Sequence, residues 1–221
     1  MDRPRLLAFD VNETLLDLAP LLRRVDDAVG APAGEWLVRT LHGSLVANEV
    51  GWYRPFDEIG VDALVGLARR RGLALSEASA REVVETMYRL PIHLDVYNAM
   101  ERLFDAGFSM VALTNSSTAA ANTQIESAGL HVFMHRVISV EEVELFKPAA
   151  EVYLHAAKVM EVEPRSMMMV AAHDWDCAGA MAMGARAALV RRQGIQWALP
   201  GSGPELVVDD LTALADALLS W

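Results

Sequence analysis

The sequence predicts an α/β protein, a parallel sheet interrupted after its first strand by a helical insertion, and three observations lead there. The run Leu6-Leu7-Ala8-Phe9 is short, unbroken and apolar, and it ends in Asp10 and a polar turn. That is the pattern of a strand buried on both faces. Residues 18–94 carry apolar side chains at helical spacing with no strand-like run among them. After Asp95, short apolar runs alternate with helical stretches, which implies parallel strands joined by right-handed crossovers.

The chain has 221 residues, 53% of them hydrophobic, enough to bury a sizeable core. Its formal net charge of -11 argues against nucleic acid and against anionic membranes as partners, although a pocket can still be locally basic. Cys177 is the one cysteine, so no internal disulfide forms and a reducing cytoplasm fits. No apolar run approaches membrane-spanning length. Residues 1–5 lead straight into the first strand, so no secretory leader is expected.

In the insertion, Leu21, Leu22, Val25 and Val29 form one stripe that Gly30 can stop. Trp36, Leu37, Leu41, Leu45 and Val46 form a second, and Ile59, Leu64, Leu67 and Ala68 a third that ends near Gly72. Ser76 and Ser79 are equally good starts for a fourth helix bearing Val83, Val84, Met87 and Leu90, which Pro91 ends. Trp52, Tyr53 and Phe56 read as packing within the insertion.

From residue 96 a helix runs to Gly107, followed by strand 110–113 and the polar run Thr114-Asn115-Ser116-Ser117. A helix from Thr118 ends near Gly129. Strand 136–139 leads to Phe146-Lys147-Pro148, where Pro148 suits the first turn of a helix. Strand 167–171, whose methionines read as core filling, runs into His173-Asp174-Trp175-Asp176. A helix to Gly184, strands 187–190 and 206–208 and a last helix complete the chain. Parallel neighbours would bring Asp10, Thr114 with Asn115, Lys147 and Asp176 to one crevice at the carboxyl edge of the sheet. An acid beside a lysine is an anionic nucleophile kept ionised, because the cation favours the carboxylate.

These motifs have a family likeness. Asp10-Val11-Asn12-Glu13-Thr14, Thr114-Asn115-Ser116, Lys147-Pro148 and the segment through Asp176 resemble, in order, the four motifs of the haloacid dehalogenase superfamily. Within it the chain most resembles the L-2-haloacid dehalogenases, through Phe146-Lys147-Pro148 with Tyr153, through Trp36-Leu37-Val38-Arg39 and through Trp175-Asp176. The resemblance implies a Rossmann-like core of residues 1–17 and 95–221 with a helical cap of residues 18–94. It implies hydrolysis of short 2-haloalkanoic acids to 2-hydroxy acids through an ester on Asp10, with no cofactor and no metal. The partners are then the small substrate and halide, and a homodimer is permitted. The implied roles are as follows: Asp10 attacks, while Thr14 and Lys147 orient and balance it. Arg39 meets the departing halide with Asn115 as helper. Thr114 and the backbone of Val11 and Asn12 hold the substrate carboxylate. Tyr153 supports Lys147, Trp175 walls the pocket, and Asp176 with His173 positions the hydrolytic water. His173 stands where the known enzymes carry asparagine, and can serve as base or donor.

The rival within the superfamily is a magnesium-dependent phosphatase, whose first motif resembles DxDxT and whose fourth offers two acids four residues apart. Here the second acid of the first motif is Asn12, and with Asp176 as the second acid of the fourth motif the first falls on Ala172, so two acids are missing. Another hydrolase substrate, such as a phosphate ester or a strained ring carbon bearing a carboxylate, is the alternative reading.

Overall fold

The computed structural model describes residues 2–30 and 32–221; Met1 and Ala31 lie outside it. Six strands form one sheet: β1 (Leu6–Phe9), β2 (Ser109–Thr114), β3 (Arg136–Ser139), β4 (Met167–Ala171), β5 (Arg186–Val190) and β6 (Leu206–Val208). Their order is β3-β2-β1-β4-β5-β6 and every pairing is parallel. The apolar first strand is therefore central: Leu6 pairs with Ser109 on one side and Met167 on the other, and all four of its residues are buried. Strand order reverses beside β1, which places a crevice at its carboxyl end.

Among the described residues, the insertion after β1 holds four α-helices: α1 (Ala19–Val29), α2 (Gly34–Val50), α3 (Phe56–Arg70) and α4 (Glu77–Val84). Gly30 closes α1 at φ 65, as its lack of a Cβ allows. Ser76, not Ser79, caps α4, accepting the Ser79 N–H at 3.1 Å. Two expectations for α2 and α4 change. α2 buries Trp36, Thr40, Ser44 and Ala47, leaving Leu45 and Val46 exposed, because it packs closely through small residues. α4 tightens into a 3-10 turn over Glu85–Arg89 before Pro91. The two connections to the sheet pair with each other: Leu16 bridges Ile92, the Asp17 N–H meets the Pro91 carbonyl at 2.8 Å and the His93 N–H meets that of Leu15 at 3.1 Å.

The remaining helices are α5 (Val96–Asp105), α6 (Thr118–Ser127), α7 (Ala150–Val159), α8 (Asp174–Ala182) and α9 (Leu211–Leu219). Pro148 precedes α7 rather than opening it, since Ala149 is the N-cap, and the Lys147–Pro148 peptide is cis. Met167, Met168 and Met169 are wholly buried core. Cys177 is buried too, its thiol directed at the Ala188 carbonyl and pushed up by burial, so it acts as a spacer. Among the described residues, no helix is long and apolar enough to cross a membrane.

Candidate active site

Asp10 leaves β1 with its backbone N–H still on the sheet, bonded to the Val170 carbonyl at 3.0 Å. The chain then turns so tightly that the N–H groups of Leu15 and Leu16 both reach the Val11 carbonyl. That turn puts Glu13 in the left-handed region at φ 64 and brings Thr14 back to the nucleophile. The Thr14 hydroxyl donates to Asp10 Oδ2 at 2.8 Å and accepts the Ala172 N–H at 2.8 Å, so it spans β1 and β4.

Lys147 arrives from the loop after β3 and is 1% exposed. Its Nζ donates to Asp10 Oδ1 at 2.9 Å and to Asp176 Oδ2 at 2.7 Å. The Tyr153 hydroxyl donates to the other Asp176 oxygen at 2.7 Å. Burial alone would push the Asp10 carboxyl up. Lys147 and His173 outweigh it and hold the group far below the usual carboxylate range. The same two carboxylates hold Lys147 charged against its own burial. Asp176 moves the other way, upward, because burial dominates there.

Asn115 Oδ1 accepts the Lys147 backbone N–H at 3.0 Å, and Thr114 Oγ1 accepts that of Ser116 at 3.2 Å. The Asn12 side chain donates to Ser116 Oγ at 3.3 Å and accepts from Gln124 at 3.0 Å. Above these residues lies a cavity of about 40 Å³. Its floor includes Asp10, Asn12, Thr114 and Asn115, and its walls include Trp36, Leu37, Leu41 and Phe56 from the insertion. Phe56 thus lines the site as well as packing, while Tyr53 stacks on Phe146 and Trp52 is exposed.

Three expectations are corrected here. Arg39 does not reach the cavity. It pairs along α2 with Glu35, its Nη2 2.6 Å from Oε1, and lines a separate surface groove. Leu37 faces the cavity instead, and side chains two residues apart on an α-helix point about 160° apart. Asp176 does not touch the cavity: it is fully buried and its oxygens are taken by Lys147 and Tyr153, so it supports the lysine instead of a water. His173 is not poised as a base. Its Nε2 lies 2.7 Å from Glu13 Oε2 and its Nδ1 3.2 Å from Asp10 Oδ2. These two acids override burial and raise its pKa to about 10, so the ring is an imidazolium.

The donor set does not suit a divalent ion. The Ala172 side chain has no ligand atom, and Asp10 already carries Lys147 on one oxygen and a cationic ring beside the other. Among the described residues, no cluster of three or more His, Cys, Asp or Glu side chains is arranged to hold a metal.

Sequence reasoning did not single out Glu13 or Arg192. The Arg192 guanidinium donates to the Thr14 carbonyl at 3.1 Å and pairs with Asp95 at 2.9 Å, fixing the far side of the turn. A non-glycine residue after Asn12 was the available signal for Glu13; nothing local marks Arg192.

A model of the haloacid dehalogenase-like hydrolase family matches residues 4–184. The chain belongs to that family. Among relatives of this haloacid dehalogenase-like hydrolase, (S)-2-haloacid dehalogenase H-109 of Pseudomonas putida is 28% identical over 218 residues, covering 96% of this chain and 97% of its own. An (S)-2-haloacid dehalogenase of Pseudomonas sp. strain YL is 25% identical, covering 98% and 95%. In fold, the chain is similar to the L-2-haloacid dehalogenase from Xanthobacter autotrophicus solved with chloropropionic acid covalently bound. The TM-score is 0.89 at 21% identity, and 98% of each chain is covered.

Proposed function

We propose that this protein hydrolyses small 2-halocarboxylates to 2-hydroxy acids, without a metal, through an ester on Asp10. The observation that carries the reading is a buried carboxylate, held ionised by Lys147 and His173, at the floor of a small cavity with apolar walls. Asp10 attacks the halogen-bearing carbon in line, the carbon–halogen bond breaks, and halide leaves with the bonding pair. Water then adds to the Asp10 carboxyl carbon and the acyl–oxygen bond breaks; one water proton goes to the departing alkoxide and the other to solvent, so the hydroxy acid leaves and Asp10 is restored as a carboxylate. Lys147, 2.9 Å from Oδ1, stabilises the oxyanion of that second step. No proton need be supplied to the leaving group, which suits an amide at Asn12 in place of an acid. The names of the relatives and the covalently bound chloropropionic acid in the Xanthobacter enzyme support this assignment.

Residues 18–94 act in this reading as the cap and residues 1–17 with 95–221 as the core. With Leu37 and not Arg39 on the wall, halide departs against apolar side chains. Stripping water from a small anion costs most, so bromide and chloride should be released faster than fluoride. A reducing cytoplasm suits the single buried thiol. The exposed Val38, Leu45, Val46 and Trp52 of the cap suit a homodimer, which sedimentation would register.

The test is halide release from bromo-, chloro- and fluoro-acids beside a phosphate-ester screen, with and without chelator. Single turnover in heavy-oxygen water should label Asp10 before product, and Asp10→Asn should release no halide. Phosphate release that needs magnesium, with no halide release, would overturn the reading.

A further inference from the structure

A 2-halocarboxylate brings its own negative charge within a few ångströms of Asp10, because the carboxylate is bonded to the reacting carbon. Two like charges so close together repel strongly where water is largely excluded. A positive charge facing the substrate would offset that repulsion. Lys147 sits behind Asp10, wholly buried and shared with Asp176, and Arg39 lies outside the cavity. Among the described residues lining the cavity, His173 is the one that carries positive charge.

Its ring is held on several sides. Glu13 takes Nε2, and Trp175 stacks on the ring face with centroids 5.0 Å apart and planes 30° from parallel. Nδ1 is buried and makes no aligned hydrogen bond: Asp10 Oδ2 is near, at 3.2 Å, but off the N–H axis. A buried N–H donor without a partner is costly unless an incoming group satisfies it. Glu13, meanwhile, holds a left-handed backbone at φ 64 that ordinarily favours glycine. Its side chain reaches His173 from that position.

We propose that His173, oriented by Glu13 and Trp175, binds the substrate carboxylate through Nδ1–H, which is ion-paired with Asp10 but makes no aligned hydrogen bond, with Glu13 as its positioning residue. The inference rests on the haloacid reading and deepens it. The imidazolium lies between two carboxylates, that of the nucleophile and that of the substrate, and lets them approach. The N-termini of α6 and α8 lie at the same sheet edge and add to the field there.

The test compares a 2-halocarboxylate with its uncharged amide. Glu13→Gly suits the left-handed backbone and removes the carboxylate with the rest of the side chain; His173→Asn replaces the ring with a neutral amide. Both variants should lower the acid-to-amide ratio of kcat/KM at least tenfold, chiefly through KM for the acid, and Glu13→Asp should recover part of it. Equal losses on acid and amide would overturn the proposal while leaving the haloacid reading intact. A second measurement does not depend on turnover. Nitrogen NMR at pH 8 should show His173 with both ring nitrogens protonated, and added lactate should shift Nδ1 in the native protein but not in Glu13→Gly. A neutral ring, or no response to lactate, overturns the proposal. A response to lactate in a protein that releases no halide would sink the haloacid reading alone.

Discussion

Two charged side chains, Lys147 and His173, decide what Asp10 can do, and their effects can be separated. Lys147→Met leaves Asp10 and Asp176 buried with no shared cation. Removing one partner of a buried pair costs about 3–5 kcal/mol, and here two carboxylates lose theirs. We expect urea denaturation to show a loss of that order and halide release at neutral pH to fall by orders of magnitude, since Asp10 would become harder to ionise. His173 gives a pH signature with a definite sign. Its folded pKa of about 10 lies above the unfolded value near 6.5, so its contribution is complete below about pH 6.5 and disappears as pH rises through about 10. Native protein should therefore lose stability between pH 7 and 10, and His173→Asn should lose much less across that window. Parallel curves for the two proteins would mean that the ring is neutral in the fold.

At the scale of elements, the site depends on how closely α8 approaches the loop carrying Lys147. Gly179 lies one helical turn past Asp176, and a Cβ there would meet Pro148 Cβ at 2.6 Å and the Tyr153 hydroxyl at 2.7 Å. Neither neighbour can give way easily, because Tyr153 is fully buried and bonded to Asp176. Gly179→Ala should destabilise by about 1–3 kcal/mol, as overpacking does. It should also slow turnover by displacing the tyrosine that holds Asp176 against Lys147. Thermal melting and halide release read the two effects independently, and a variant with native values in both would show that α8 can shift at no cost.

Across the whole molecule, cap and core meet through more than the apolar walls of the cavity. Asn48, near the end of α2, donates to the Phe146 carbonyl at 2.8 Å and accepts the Phe146 N–H at 2.8 Å. The cap thus grips the backbone of the residue before Lys147. Gln124 makes a second link, donating both to Asn12 of the core and to the Met87 carbonyl of the insertion. Asn48→Ala leaves the Phe146 N–H and carbonyl without these partners, and an unsatisfied buried group costs about 1–3 kcal/mol. We expect a lower melting temperature and a raised KM as the cap loosens, with proteolysis entering first in residues 18–94. Unchanged KM in a destabilised protein would show that the apolar contacts alone close the site.

The sequence by itself determined the strands, their parallel pairing and the gathering of Asp10, Thr114, Asn115 and Lys147 at one edge. These follow from short-range chemistry: an apolar run must be buried, a polar turn must end it, and a crossover fixes direction. Thr14 and Tyr153 were singled out only through the likeness to the family's motifs, and the structure sets them against Asp10 and Asp176. What only the tertiary structure decided is where side chains point on α2 and who shares the charge around the nucleophile. A segment such as Trp36-Leu37-Val38-Arg39 shows that an arginine is present but not which flank of the helix faces the core, and small buried residues at Thr40, Ser44 and Ala47 set that rotation. Asp176 and His173 likewise leave the water-positioning part expected of them, the acid sealed behind Lys147 and the histidine charged beside Asp10. Protonation depends on every charge within a few ångströms, and those neighbours, Glu13 and Lys147 among them, come together only when distant parts of the chain pack around one crevice.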